Sequence, residues 1–300
     1  MTRTASMLIL SSMLILILIV STSVAENHDD KVDAKAIMAL IEDGRPVSYD
    51  GRTIKGDLDL SQSNLTITSV FWQSPQGIIY SEDLWLITSP INIIDCDIDG
   101  NVNFDNAIFE GPVSFNETFF QGNASFKGSR FGKIADFQYA RFMGTSDFMK
   151  SKFPYLSTFF NATFMGNAYF DFSQFNEKAD FKEAYFNAST SFEESQFNER
   201  AEFQGSIFAE DIDFWSSQFD GDARFWNAEF RGDALFNDAM FSKDVEFYEA
   251  SFSGDAKFYN VTFLGILDLA ASSNEGYQRT KFLKDLILDN TKINIIRLSY

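Results

Sequence analysis

Cysteine occurs once in this 300-residue chain, histidine once and proline five times. The lone Cys96 excludes an intrachain disulfide, so stability has to come from a packed core. His28, in "ENHDD" near the start, leaves no other histidine for a nucleophile–base pair, and there is no Cys/His cluster to hold zinc. No enzyme activity, cofactor or metal is expected. Positive charge is also scarce. With 24 basic and 43 acidic side chains the net charge is −19, which argues against direct nucleic-acid binding, because phosphates need cationic partners. Long apolar runs are missing beyond the first residues. The exception, "MLILSSMLILILIV" from Met7 to Val20, follows Arg3 and precedes "STSVA", where Ser23 and Ala25 fit the small positions of a cleavage site. The run is short for a spanning helix, which needs about 20 apolar residues. Residues 1–25 therefore read as a cleaved secretory signal, with membrane attachment only if the segment stays uncleaved.

What the chain has in excess is phenylalanine, 35 of them. From Phe104, Phe109, Phe115 and Phe120 they recur at alternating intervals of five and six residues as far as Phe263, with Leu269 keeping the register. Two residues before each stands a small or β-branched side chain, such as Ala107, Ser129, Ala179, Thr190, Ala228 or Val245. Residues two apart share one face of a strand, so both point inward and the polar residues between them point out. An α-helix fails, because steps of five and six rotate it by about 500° and 600° and hold no single face. A unit of eleven residues is too short to fold alone and must stack on its neighbours. The pattern implies a continuous coil of very short strands.

The triplets "ADF" at 135–137 and 179–181, and "AEF" at 201–203 and 228–230, resemble the pentapeptide-repeat family, whose motif places a small residue and Asp or Asn before a central Leu or Phe. The resemblance implies an all-β fold, a right-handed quadrilateral parallel β-helix with one motif per side. The extra residue in alternate intervals, often glycine as at Gly111, Gly122, Gly144, Gly166, Gly221, Gly232 and Gly254, suggests enlarged corners where positive φ is free of steric cost. Five, six, five and six residues then make a coil of 22, in which Phe104, Phe126, Phe148 and Phe170 begin one of four interior stacks. "KVDAKAIMALIEDG" puts Ala34, Ile37, Leu40 and Ile41 on one side of a short helix that can cap the open end, with Gly44 as its stop. The expected organisation is a signal over 1–25, a cap with this helix over 26–53, a first irregular coil with an insertion over 54–92, the solenoid over 93–269, and an irregular terminal coil and cap over 270–300. Cys96 falls in a small inward slot, where a thiol is structural.

For function, one outward column carries Asp136, Thr158, Asp180, Glu202, Arg224, Glu246 and Asp268, expected to be a solvated ladder; the corner acids Asp211, Asp233 and Asp255 are weak calcium candidates. Trp226 and Tyr248, 22 residues apart, should be neighbours on one face, and Trp215 and Tyr259 share another two coils apart. Exposed aromatics anchor protein or glycan partners, so these four are the candidate partner surface. Sequons at Asn64, Asn116, Asn123, Asn161, Asn187 and Asn260 are possible glycosylation sites. The reading that follows is a non-enzymatic extracytoplasmic scaffold or interaction protein at the cell envelope. Two alternatives are a DNA mimic acting on a topoisomerase, suited to the acidic charge, and a carbohydrate-active β-helix enzyme.

Overall fold

The computed structural model describes residues 30–73, 79–269 and 280–298. Residues 1–25, read as a signal, and His28 lie outside the described residues. Within the described part, the Phe beat becomes a parallel β-solenoid of about 10 coils, roughly 22 residues per turn. Each coil has four short strands, exemplified by Ala107–Phe109, Val113–Ser114, Phe119–Phe120 and Ala124–Ser125. These define the first to fourth faces. Through the Phe array each strand pairs in parallel with its equivalent one coil on: Phe109 with Phe131, Val113 with Ala135, Phe120 with Phe142, and Ala124 with Ser146.

The inward column is dry and continuous. The Phe side chains of the five-and-six series from Phe104 to Phe263 are buried, none more than 4% exposed. Because equivalent residues sit one strand spacing apart, about 4.8 Å, their rings lie flat on one another. Phe148 and Phe170 have centroids 5.0 Å apart at 2°, and Phe170 and Phe192 4.7 Å apart at 5°. Each ring also meets the neighbouring column edge-on, as Phe170 meets Phe181 at 5.2 Å and 86°, a geometry that suits the ring quadrupoles. The small slot beside each Phe completes the filling. Several slot hydroxyls donate to a carbonyl, Ser151 Oγ to Phe126 O at 2.7 Å and Ser173 Oγ to Phe148 O at 2.7 Å, whereas those of Ser146 and Ser157 are buried without a partner. Cys96 occupies such a slot, 2% exposed, with its thiol donating to Ile94 O at 3.1 Å and burial raising its pKa.

The corners differ from the expectation. Positive φ does not fall on the glycines of the six-residue intervals. It falls in the five-residue intervals, once every eleven residues, on Asn106, Glu117, Tyr139, Lys150, Asn161, Phe172 and their successors, at φ between 52° and 60°. There the chain makes a β-turn, closed by Ala107 N–H to Phe104 O at 3.3 Å, and the next coil holds each turn in place, as Asn106 N–H bonds Lys127 O at 2.7 Å. The six-residue corners need glycine for room instead. A Cβ on Gly254 would lie 2.1 Å from Gly232 O, inside the preceding coil's backbone.

At the N-terminal end, α1 (Ala34–Glu42) starts at Asp33, whose carboxylate accepts from Lys35 N–H at 2.9 Å, and ends with Gly44 at φ 64°. Its buried Ala34, Ile37 and Ile41 join Val47, Ile54 and Leu58 in the core; Leu40 is only partly buried. Between residues 60 and 85 the chain leaves the coil as an antiparallel hairpin of Ile67–Gln73 and Ile79–Ile87, so that Leu58 pairs with Val102, 44 residues on. At the far end, the last described coil shows apolar side chains to solvent: Leu283 is 70% exposed and Leu298 56%. Among the described residues no helix is long and apolar enough to cross a membrane.

Candidate interaction surface

Trp226 follows Phe225 at the corner between the second and third faces, just before Asn227 at φ 56°. That corner repeats in every coil, so Tyr248 comes directly next to it. The two rings stack, centroids 5.7 Å apart at 9°, and both are half-buried. The same edge carries more than the sequence reading found. Phe160 occupies the equivalent position three coils earlier, with Tyr139 packed edge-on at 5.4 Å and Lys182 Nζ 5.8 Å above its ring. The signal was available, since Phe160 stands one residue after Phe159 as Trp226 does after Phe225.

Trp215 and Tyr259 sit on the diagonally opposite corner, between the fourth and first faces. Both are exposed, at 38% and 51%, and Asn237 stands between them. Trp215 Nε1 donates to Asp238 Oδ2 at 2.9 Å. The four aromatics thus form two separate edges, and only Trp226 and Tyr248 are in ring contact.

The acidic column beside the first edge is not the solvated ladder expected. Asp180 and Glu202 are 8% and 4% exposed, covered by the long cations beside them. Lys178 Nζ lies 2.9 Å and Lys182 Nζ 3.4 Å from Asp180, while Arg224 lies 3.7 Å from Glu202 and 3.5 Å from Glu246. Burial raises the Glu246 pKa although Arg224 pulls it down. The corner acids have structural work as well: Asp211 accepts from Asp233 N–H at 2.8 Å and Asp233 from Asp255 N–H at 2.9 Å. Among the described residues no group of three or more His, Cys, Asp or Glu is placed to hold a metal. Of the sequon asparagines, Asn64, Asn123, Asn161 and Asn260 are exposed, whereas Asn116 and Asn187 are half-buried. Asn187 Nδ2 is engaged, donating to Met165 O at 3.2 Å.

On the fourth face and its corner, Asp147, Asp171 and Asp213 have raised pKa values, in each case first through burial. Backbone N–H groups oppose this at Asp147 and Asp213, and the Ser191 hydroxyl does so at Asp171. A carboxyl whose folded pKa exceeds its unfolded one binds protons better when folded, so its contribution is full below the unfolded value and is lost as pH rises through the folded value. Asp99 and Asp233, lowered by Lys55 and Lys257, act in the opposite sense and only at more acid pH. Mild acidification from neutral toward about pH 4, the ordinary carboxylate range, is therefore expected to strengthen the fold in urea melts. Asp147→Asn should reduce that gain. A melt indifferent to pH in wild type, or an undiminished gain in the variant, would contradict it.

Comparison with known proteins gives one family. A model for pentapeptide repeats (9 copies) matches residues 104–151, 181–229 and 225–273. No match was found among curated proteins or solved structures. The stretch between the first two matched segments carries the same beat in the same four ladders, with Phe153 stacked on Phe175 and Phe159 on Phe181, both at 4.8 Å. The chain is a pentapeptide-repeat protein.

Proposed function

We propose that the protein is a non-enzymatic scaffold that works outside the cytoplasm and meets a protein or glycan partner at the cell envelope through the edge bearing Trp226 and Tyr248. The observation that carries this reading is the filled interior. Stacked rings and methyls occupy each column from Phe104 to Phe263, so whatever the solenoid recognises must meet its outside. Stacked, half-buried aromatics suit that role because they offer a large flat contact with little rotamer entropy left to lose. The extracytoplasmic part rests on Met7–Val20 and the small residues after it. A DNA-mimic role has less support, since Asp180, Glu202, Glu246 and Asp268 are matched by Lys or Arg and two of them are buried.

The test is the double variant Trp226→Ala/Tyr248→Ala. Its unfolding transition should move little, because both rings lie outside the Phe columns, while retention on isolated envelope material should fall by about tenfold or more, the effect of losing aromatic anchors. Unchanged retention would remove this edge from consideration. Recovery of unprocessed protein in the cytoplasm, bound to a topoisomerase, would overturn the proposal as a whole.

A further inference from the structure

On the corner opposite the Trp226 edge, where the fourth face turns into the first, four cations gather on two successive coils: Lys127 and Arg130, then Lys150 and Lys152. With Asn106, Gly128 and Phe172 they line a cleft of about 580 Å³. The chain otherwise mixes its charges. Asp180 stands between Lys178 and Lys182, Arg224 between Glu202 and Glu246, and Lys257 beside Asp233 and Asp255. In the cleft the rule is reversed: Arg130 and Lys152 are register partners on adjacent strands, so like charges stand directly opposite, an arrangement that destabilises a sheet. Among the described residues no carboxylate lies within ion-pair distance of Lys127, Lys150 or Lys152. That is unexpected in a chain with 43 acids and 24 bases.

The concavity has its own cause. At the positive-φ position of this corner the side chains run Asn106, none at Gly128, Lys150, Phe172, and the missing one at Gly128 opens a notch. A side chain at Gly128 would have to adopt its left-handed φ of 69° and push the Asn106 amide aside, since a Cβ there would lie 2.4 Å from Asn106 Oδ1. The rim is unusual too. Phe172 is held at φ 58°, a conformation costly for a bulky residue, and is 40% exposed. Notch, three lysines with no carboxylate in ion-pair reach and an apolar rim coincide at one place.

We propose that this cleft binds a compact polyanion, a small molecule or terminal group carrying at least two phosphate or sulfate groups. Lys and Arg supply charge-assisted donors to the oxyanions, and Phe172 provides a wall for the body of the ligand. Compactness follows from the surroundings. The cations span only two coils, about 5 Å along the axis, and beyond them the same corner carries Glu193 and Glu194, so a long polyanion would be repelled where a short one is not. The site is separate from the Trp226 edge, and the inference does not depend on that edge's role.

The experiment is titration calorimetry of the full chain with pyrophosphate and, in a second arm, with a trisulfated disaccharide, at ionic strength fixed with sodium chloride. Saturable one-site binding is expected, with Lys150→Gln or Arg130→Gln weakening it by about tenfold or more, as for loss of a charge-assisted hydrogen bond. Lys150→Arg should retain it, and Lys292→Gln, remote from the cleft, should leave it unchanged. Lys150→Gln relieves like-charge repulsion, so its melt should not fall, and a binding loss then reports the site. Binding in the first arm alone assigns a phosphate ligand, and in the second alone a sulfated sugar. Absence of saturable binding in both arms, or binding equal in wild type and glutamine variants, would overturn the proposal.

Discussion

Phe181→Ala is expected to destabilise the solenoid by about 3–5 kcal/mol, the range for truncating a buried aromatic. Phe181 has no exposed surface. Its ring lies flat on Phe159 at 4.8 Å and on Phe203 at 5.0 Å, and edge-on to Phe170 and Phe192 at 5.2 Å. All four are fixed by their own stacks, so the cavity has little chance to collapse. Because each coil contacts only its neighbours, the damage should be local. Urea melts should broaden, and amide exchange should accelerate first around residues 159–203. Lys182→Ala, one residue further and outward, should cost below about 1 kcal/mol, since it loses only a partly exposed ion pair and a contact with Phe160. Equal losses at the two positions would refute the assignment of inward and outward residues.

Gly254→Ala should also be costly, by about 1–3 kcal/mol or more, as for overpacking a site that cannot relax. The added methyl would meet Gly232 O at 2.1 Å and Gly232 C at 2.3 Å, which are backbone atoms tied into the neighbouring coil. Gly51→Ala is the control. Gly51 has φ 61° but nothing within 4 Å of an added Cβ, so its penalty is conformational alone, about 1–2 kcal/mol. Since Gly254 is not at positive φ, an effect at Gly254 smaller than that at Gly51 would show that neighbouring coils do not approach as closely as described.

These two positions also show what the sequence could and could not reveal. Phe181 was legible as a core residue because every coil imposes the same demand on its inward slot, and a demand repeated from Phe104 to Phe263 stands out from composition. Gly254 was legible as a corner but not in its reason. Freedom in φ and lack of room both select glycine, and only the position of the coil beneath separates them. Left-handed backbone at Glu183, Lys150 or Phe172 leaves no mark in residue type, because hydrogen bonds to the next coil impose it. The burial of Asp180 and Glu202 likewise depends on how far Lys178, Lys182 and Arg224 lean over them. The cleft at Lys127, Arg130, Lys150 and Lys152 was not legible because acids were grouped by their position in the coil while basic residues, Arg224 apart, were read only as a total.

The left-handed corners recur every eleven residues, half a coil, so the two halves of each turn are built to one plan. A duplication or loss of eleven codons inside the array would rejoin Phe to Phe without disturbing the alternation of fives and sixes. The interior would not register the event. The outside would, because everything downstream would emerge half a revolution round, bringing the Trp226 edge onto the side that now carries the lysine cleft. Twenty-two codons would instead change the distance between the two surfaces and keep their direction. In a lineage of such proteins, separation and orientation of recognition surfaces can therefore vary independently, in discrete steps, while the same core is inherited unchanged.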